Sequence, residues 1–356
     1  MVKGGDCMLC ALIMAGGKGT RFWPLSTEEK PKQFLKLVSE DTMLQMSVKR
    51  LQKLIPIERI FIVTGKRYID LVRAQLPKLP HRNIITEPIG KNTAPCIALS
   101  AFHIKKIYGD VTIAVLPSDH LIKDEEKFLK VIKSGDEFVN KNKEAIVTIG
   151  LKPDRPETGY GYIKCSRMNC LINGCEVLYV KNFVEKPDLN KAIEYLEDGN
   201  YLWNGGMFIW KVSNILRLTR QYLINTFEVL CEIAATCDKD YNRVLEEKYN
   251  NVDSISVDFG IMEKAKDIYV IPGDFGWDDV GNWEAAQRYM VRDSDDNIFM
   301  GNVKKFDCSN NIIISNGKPI IISGLQDIFL VESDDMIFVG KRDGMESIRE
   351  LKNRIS

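Results

Sequence analysis

The 356-residue chain carries 49 lysines and arginines against 49 aspartates and glutamates, a formal net charge of zero. That balance speaks against a nucleic-acid or membrane-surface protein, which relies on a basic excess, and no apolar run approaches the ~18–20 residues of a membrane span. The length exceeds one small core, so one large α/β domain with a smaller second one is expected.

Met1 to Cys10 is too short and polar for a secretory leader, and Met1 to Cys7 reads as an extension ahead of the first strand. Nine cysteines, an odd number, are scattered along the chain. This suits a reducing cytoplasm with thiols buried as small apolar groups. Cys7-x-x-Cys10 has no second pair, and Cys165, Cys170 and Cys175 have no histidine nearby. Neither set reads as a zinc site, which needs four ligands.

Ala11 to Leu35, ALIMAGGKGTRFWPLSTEEKPKQFL, then opens the functional part of the chain. A buried strand breaks into Gly16, Gly17 and Gly19, and Lys18, Arg21 and Lys30 follow as cations. Glycines let the backbone approach a ligand, and successive amide N–H groups form an anion-binding nest. A polyphosphate fits such a loop. It is not a Walker A loop, because Lys18 is followed by Gly19 where Ser or Thr belongs. Nor is it a dinucleotide fingerprint, because Gly17-x-Gly19 runs on to Phe22.

Strands are expected at Arg59 to Thr64, Ile84 to Thr86, Thr112 to Leu116 and Ala145 to Ile149. Helical spacing marks Met43 to Leu54, Tyr68 to Leu76, Ala94 to Tyr108 and Glu125 to Asn140. Continuous apolar strands alternating with helices predict a parallel sheet covered on both faces. Ligands of such sheets bind beyond the strands' carboxyl ends. The loops Gly16 to Arg21, Glu87 to Pro95 and Pro117 to His120 all lie there. Strands are also expected at Gly159 to Cys165, Glu176 to Val184, Met207 to Trp210 and Tyr269 to Ile271. Ser213 to Ile233 reads as one long helical segment, Asp258 to Lys266 as a short helix and Trp283 to Met290 as the last helix of the large domain. The polar stretch Arg292 to Asn297 marks a boundary, giving domains 1–291 and 292–356. Beyond it, Ile312 to Ile314, Ile320 to Ile322, Ile328 to Val331 and Met336 to Val339 suit a small hairpin module or a β-solenoid. Met345 to Arg354 reads as a terminal helix.

Leu116-Pro-Ser-Asp-His120 ends a strand, and Gly276-Trp-Asp-Asp-Val-Gly281 offers a second acidic turn. Mg²⁺ binds through one or two carboxylates plus phosphate oxygens and water, so Asp119 with Asp279 (or Asp278) forms a candidate metal site. No nucleophile triad is visible. Phosphoryl or nucleotidyl transfer needs none, since it depends on positioning and charge neutralisation. Glu87 precedes a helix capped by Asn92 or Thr93, with Pro95 in its first turn. A carboxylate only accepts hydrogen bonds, so Glu87 at a base site would favour guanine, with its adjacent N1–H and N2–H donors. Thr158-Gly-Tyr-Gly161, Val184-Glu-Lys-Pro187 and Trp203-Asn-Gly-Gly-Met-Phe208 together describe a polar pocket for a phosphorylated sugar, with Glu185 and Asn204 on hydroxyls and Lys186 on phosphate.

In that order, the motifs AGGKGTRFWPLS, KPKQFL, EPIGKNTAP, LPSDH, TGYGYI, VEKP, WNGGMF, DFGIMEK and GWDDVGNW resemble the mannose-1-phosphate guanylyltransferases in their long bacterial-type branch. The resemblance implies a Rossmann-like nucleotidyltransferase domain with a mixed, mainly parallel sheet and a small C-terminal left-handed β-helix. It implies that GTP and mannose 1-phosphate are the substrates, that Mg²⁺ is the cofactor and that the protein is a homodimer. Carried over by position, Ala15, Gly16, Gly17, Lys18, Gly19, Thr20, Arg21 and Ser118 line the nucleotide phosphates and Lys30 the phosphate junction. Glu87 and Asn92 lie at guanine and ribose. Asp119 and Asp279 are the metal ligands, Asp279 being preferred over Asp278 by its place in Trp-x-Asp-Val-Gly. Gly159, Glu185, Lys186 and Asn204 hold the sugar phosphate. Gly205 departs from the serine or alanine more usual there. Longer relatives carry an isomerase domain, and with no histidine-rich cluster in this chain that activity is expected to be absent.

Overall fold

The computed structural model of the protein describes residues 8–17 and 19–347. Met1 to Cys7, Lys18 and most of the expected terminal helix lie outside these residues. Predominantly apolar runs form the central strands, as burial on both faces of a sheet requires. The strands are β1 Leu9–Met14, β2 Ile60–Gly65, β3 Ile84–Glu87, β4 Thr112–Pro117, β5 Leu121–Ile122, β6 Ile146–Leu151, β7 Tyr162–Ile172, β8 Cys175–Val184, β9 Tyr201–Lys211, β10 Ile268–Gly273 and β11 Trp277–Asp278. The helices are α1 Met43–Gln52, α2 Ile69–Gln75, α3 Thr93–Tyr108, α4 Glu125–Lys141, α5 Leu189–Asp198, α6 Val212–Tyr222, α7 Ile224–Ala235, α8 Tyr241–Lys248 and α9 Trp283–Gln287. Caps follow the sequence. Asn92 caps α3, and Asp124 caps α4 by accepting from Lys127 N at 3.0 Å, with Glu125 and Glu126 in the first turn where the helix dipole favours them.

By internal contacts the chain forms two units. The first comprises the chain up to Gly16, Val48–Ser118 and Ile122–Trp277; the second comprises Gly17–Ser47, Asp119–Leu121 and the chain from Asp278 on.

The first unit is built on a nine-stranded sheet of order β3-β2-β1-β4-β9-β6-β10-β8-β7. Only β9 and β8 run against the rest. The chain steps outward from β1 through β2 to β3, then returns to place β4 on the other side of β1. That reversal is the topological switch point, where open α/β sheets bind ligands. The β7–β8 hairpin turns at Asn173 (φ 50°) and Gly174 (φ 74°), the Asn-Gly signal of a tight hairpin.

Two predicted helices differ from the structure. Ser213 to Ile233 is split into α6 and α7 at Leu223, whose backbone sits at φ −136°, ψ 60°. The predicted helix Asp258 to Lys266 is a five-residue π-helix, Asp258–Met262. The two departures meet in space, since a Cβ on Gly260 would lie 3.1 Å from Leu223 Cδ1. Apolar periodicity runs through both breaks, so tertiary packing sets them. No described helix is long and apolar enough to cross a membrane.

In the second unit, β12 (Ile298–Met300), β14 (Ile312–Ile314) and β16 (Ile328–Glu332) stack in parallel, pairing Ile298 with Ile312 and Ile312 with Phe329. β13 (Val303–Phe306) pairs in parallel with β15 (Ile320–Ser323), and β17 (Ile337–Lys341) runs antiparallel to β16. The buried Asn297 and Asn311 form a ladder. Asn311 Nδ2 donates to Asn297 Oδ1 at 3.0 Å, and Asn311 Oδ1 accepts from Ile328 N at 2.9 Å. Trp283, Phe22, Val280, Ile298, Ile312 and Phe329 share one buried cluster.

Gly301 is the tightest turn of this stack. It sits at φ 81°, and an added Cβ would lie 2.3 Å from Ser315 O. Gly301→Ala should therefore cost at least ~1–3 kcal/mol, combining backbone strain with a clash against a carbonyl. Urea unfolding of the variant measures it, and an unchanged midpoint would contradict it.

Candidate active site

Within the second unit, the glycine loop is fitted onto the turn Lys32–Phe34. Gln33 Nε2 donates to Gly17 O at 3.1 Å. Gly19 adopts φ 44°, and a Cβ there would lie 2.8 Å from Lys32 N, so both conformation and space demand glycine. The same turn buries Lys32, which is 4% exposed. Its Nζ donates to Asp119 Oδ2 at 2.8 Å, Asp119 O at 3.0 Å and Asp279 O at 2.5 Å. A buried ammonium persists only with such partners. Burial, the largest influence, pushes the Asp119 carboxyl up. The Lys32 and His120 charges and the Lys32 hydrogen bond outweigh it and hold the group below its ordinary value.

Gly281 brings Arg21 and Asp279 together. A Cβ on it would lie 3.3 Å from Asp279 Oδ2 and 3.6 Å from Arg21 Nη1. Between the two, Val280 is at φ 44° and fully buried. A β-branched residue at positive φ is strained, and its packing in the Trp283–Phe22 cluster holds it there. The two aspartates of the turn are unequal. Asp278 Oδ1 accepts from Val280 N at 2.7 Å, and its Oδ2 accepts from Tyr289 OH at 2.6 Å and Arg288 Nη2 at 3.0 Å. The Asp279 carboxylate makes no hydrogen bond among the described residues. Lys30 is not the lysine that joins the aspartates. Its ammonium lies 4.0 Å from the Asp334 carboxylate on a partly exposed side chain. Lys18 lies outside the described residues, and Thr20 opens a short 3₁₀ turn, Thr20–Phe22.

Within the first unit, Ala15 and Gly16 follow β1 and Ser118 follows β4, at the switch point. Ala15 N donates to Val63 O at 2.8 Å and Ser118 N to Met14 O at 3.1 Å. Glu87 ends β3 and is 5% exposed. Its Oε1 accepts from Tyr249 OH at 2.6 Å. Burial lifts its carboxyl, and hydrogen bonds from Tyr249, the Cys96 thiol and the Lys91 backbone pull partly back. Its Oε2 lies 3.6 Å from where a Gly16 Cβ would be. Asn92, at φ 71°, uses its Oδ1 to accept from Thr93 N at 2.8 Å.

Glu185, Lys186 and Asn204 are brought together, and with them Asp258, which the sequence reading did not single out. Lys186 Nζ donates to Glu185 Oε1 at 2.9 Å. Asn204 Nδ2 donates to Asp258 Oδ1 at 2.8 Å, while Asn204 Oδ1 accepts from Gly206 N at 3.1 Å and Thr148 Oγ1 at 3.3 Å. Of the glycines in Thr158 to Gly161, Gly161 borders this cluster, its carbonyl accepting from Asn204 N at 2.7 Å. Gly159 N instead donates to Glu157 Oε1 at 3.0 Å. The missed residues stand in motifs quoted whole, Lys32 in KPKQFL and Asp258 in DFGIMEK, and only the burial of Lys32 beside Gln33 and Phe34 shows that this lysine needs acidic partners.

Comparison with known proteins follows the same lines. Residues 10–295 match the Nucleotidyl transferase family. The chain is 35% identical over 355 residues to mannose-1-phosphate guanylyltransferase 2 of Escherichia coli O157:H7, covering 97% of this chain and 73% of that protein. It is 37% identical over 349 residues to the xanthan biosynthesis protein XanB of Xanthomonas campestris pv. campestris (strain B100), covering 97% and 72%. Among solved structures, mannose-1-phosphate geranyltransferase from Thermus thermophilus superposes with a TM-score of 0.82 at 32% identity, covering 98% of this chain and 99% of that one.

Proposed function

The chain belongs to the mannose-1-phosphate guanylyltransferases of the nucleotidyl transferase family, and on that footing we propose how its residues transfer GMP from GTP to α-D-mannose 1-phosphate, giving GDP-mannose and pyrophosphate. The observation that carries the mechanism is the meeting of Lys32, Asp119 and Asp279. The loop from Gly17 to Arg21 takes the β and γ phosphates, and Arg21 and Lys32 face the charge that grows on the leaving pyrophosphate. A phosphate oxygen of mannose 1-phosphate forms a bond to the α-phosphorus in line as the bond from that phosphorus to the β-phosphate oxygen breaks. The substrate supplies the nucleophile, so no protein nucleophile is required.

Asp119 and Asp279 suit Mg²⁺. They are hard oxygen donors, Asp279 is free of other partners among the described residues, and no group of three or more His, Cys, Asp or Glu that could hold a metal occurs among those residues. Two carboxylates with phosphate oxygens and water completing the shell is the Mg²⁺ pattern. When bound, the ion supplies charge neutralisation at the phosphates. Ala15, Gly16 and Ser118 support the nucleotide, Glu87 and Asn92 the base and ribose, and Glu185, Lys186 and Asn204 the sugar phosphate. The parallel stack of β12, β14 and β16 belongs to a left-handed β-helix, and the working form is a cytoplasmic homodimer; a monomeric mass in solution would remove the latter.

Mixing GTP, Mg²⁺ and mannose 1-phosphate with the protein should release pyrophosphate, and faster than ATP, UTP or dTTP, or glucose 1-phosphate, allow. Equal rates with another base or sugar would overturn the selectivity. Glu87→Gln should weaken the preference for GTP over ATP; an unchanged ratio would leave Glu87 only its buried bond to Tyr249.

A further inference from the structure

Asp258 sits on the single π turn of the chain's described residues, between Val257 and Phe259, and its carboxylate accepts a hydrogen bond from Asn204 Nδ2. Opposite lies Glu185, whose side chain is 8% exposed. Its Oε1 is bonded to Lys186 Nζ, but its Oε2 is buried with no hydrogen-bond partner. That oxygen lies flush on the backbone of Gly161, where a Cβ would come within 2.3 Å of it. An orphaned buried carboxylate oxygen is costly to keep, and it persists where an arriving donor satisfies it.

The kind of donor follows from the charges. Glu185 already holds one ammonium, from Lys186, which takes positive φ (48°) beside it. Glu263 Oε1 is occupied by the backbone N–H of Glu185 at 3.2 Å. The cluster holds three carboxylates against that one ammonium, and what Glu185 Oε2 lacks is a donor, which a neutral hydroxyl supplies.

Building on the functional reading above, we propose that Asp258 is a sugar-binding, specificity-determining residue, which together with Glu185 Oε2 accepts hydrogen bonds from ring hydroxyls of the sugar 1-phosphate. Asn204 fixes the Asp258 carboxylate for this task, and Gly206, at φ 62°, fixes Asn204 through its N–H. Burial first, and then the Glu185 charge, lift the Asp258 carboxyl to about 6, against the pull of Asn204 and Lys186. The anion is the better acceptor, so its advantage appears as pH rises through that value.

Steady-state kinetics of Asp258→Asn test this. The amide oxygen keeps the Asn204 bond while the charge is lost. KM for mannose 1-phosphate should rise about 10- to 100-fold, the usual worth of a hydrogen bond to a charged group, with KM for GTP changed less than about twofold. The ratio of variant to wild-type KM should grow from near one at about pH 5 to its full value at about pH 8. The substrate's own second phosphate ionisation, near pH ~6, is common to both proteins and cancels. An unshifted sugar KM, equal rises for both substrates, or a pH-independent ratio would overturn the inference. Should the variant fold poorly, wild-type protein with 2-, 3- and 4-deoxymannose 1-phosphates provides a second measurement, with a comparable KM rise expected for at least one and the idea lost if none shifts. No pyrophosphate release by the wild type would overturn the functional reading and this inference together. Normal turnover with an unshifted variant would overturn the inference alone.

Discussion

Lys32→Met is expected to lower kcat by about 10²- to 10³-fold, the scale of removing one preorganised electrostatic group. Methionine preserves the unbranched apolar stem that the turn Lys32–Phe34 buries. What disappears is the ammonium that joins Asp119 Oδ2 to the Asp279 carbonyl. The sign of the pH effect follows. In the native protein Lys32 holds the Asp119 carboxyl below its ordinary value. That contribution to stability is present above the unfolded value and is lost as pH falls through the lowered one. Without Lys32 two of the influences that oppose burial are gone, so Asp119 takes up a proton at higher pH than in the native protein and the acidic limb of the activity profile moves upward. Asp119 is 36% exposed at its side chain, which discounts the stability loss relative to a fully buried pair. Lys30→Met is the control. It removes a 4.0 Å pair between partly exposed groups, worth at most about 1 kcal/mol, and should leave kcat within about threefold. A larger loss for Lys30 than for Lys32 would place Lys30, rather than Lys32, at the phosphate junction.

That pair of lysines shows where the sequence stopped being legible. Both flank Pro31 in an irregular segment, where neither a helical nor a strand period assigns a face. Burial of the second lysine depends on Gly19 at φ 44° lying against the Lys32 backbone, a contact between residues that only the folded loop brings together. The central strands were legible because β1, β2, β4 and β6 are apolar but for single buried threonines in the last three, and a sheet covered on both faces leaves few other outcomes. The hairpin turn at Asn173-Gly174 uses residues that tolerate positive φ, although the expected strands stopped short of it. The break at Leu223 was not legible, since no glycine or proline marks it and the segment packed against it, at Gly260, is distant in sequence. Asp258 was hidden for the same reason. Its partners Asn204 and Glu185 come from distant stretches, and only a folded chain shows the buried oxygen that gives the cluster its meaning. The resemblance supplied family and substrate; the residue-level account of the site needed coordinates.

Asp278 and Asp279 are neighbours of identical chemistry, and replacing each should produce opposite losses. Asp279→Asn is expected to cost about 10²- to 10³-fold in kcat/KM and to raise the Mg²⁺ concentration needed for half-maximal rate, while the urea midpoint stays in place. Its carboxylate has no hydrogen-bonding partner among the described residues, so folding loses nothing with it, whereas a cation would lose one of two protein ligands. Asp278→Ala should do the reverse. Tyr289 OH, Arg288 Nη2 and Val280 N would each lose an acceptor. These donors are part-buried or exposed, so the loss is about 1 kcal/mol, the net worth of an ordinary hydrogen bond. The Val280 turn at φ 44° then loses the bond that balances its strain, so unfolding should come at lower urea while the Mg²⁺ requirement of the folded enzyme is unchanged. Should Asp278→Ala shift the Mg²⁺ requirement and Asp279→Asn shift only the midpoint, the two roles are exchanged. The test is sharp because the turn spends one of two adjacent carboxylates on Val280 N, Tyr289 OH and Arg288 Nη2 and leaves the other without a hydrogen bond among the described residues.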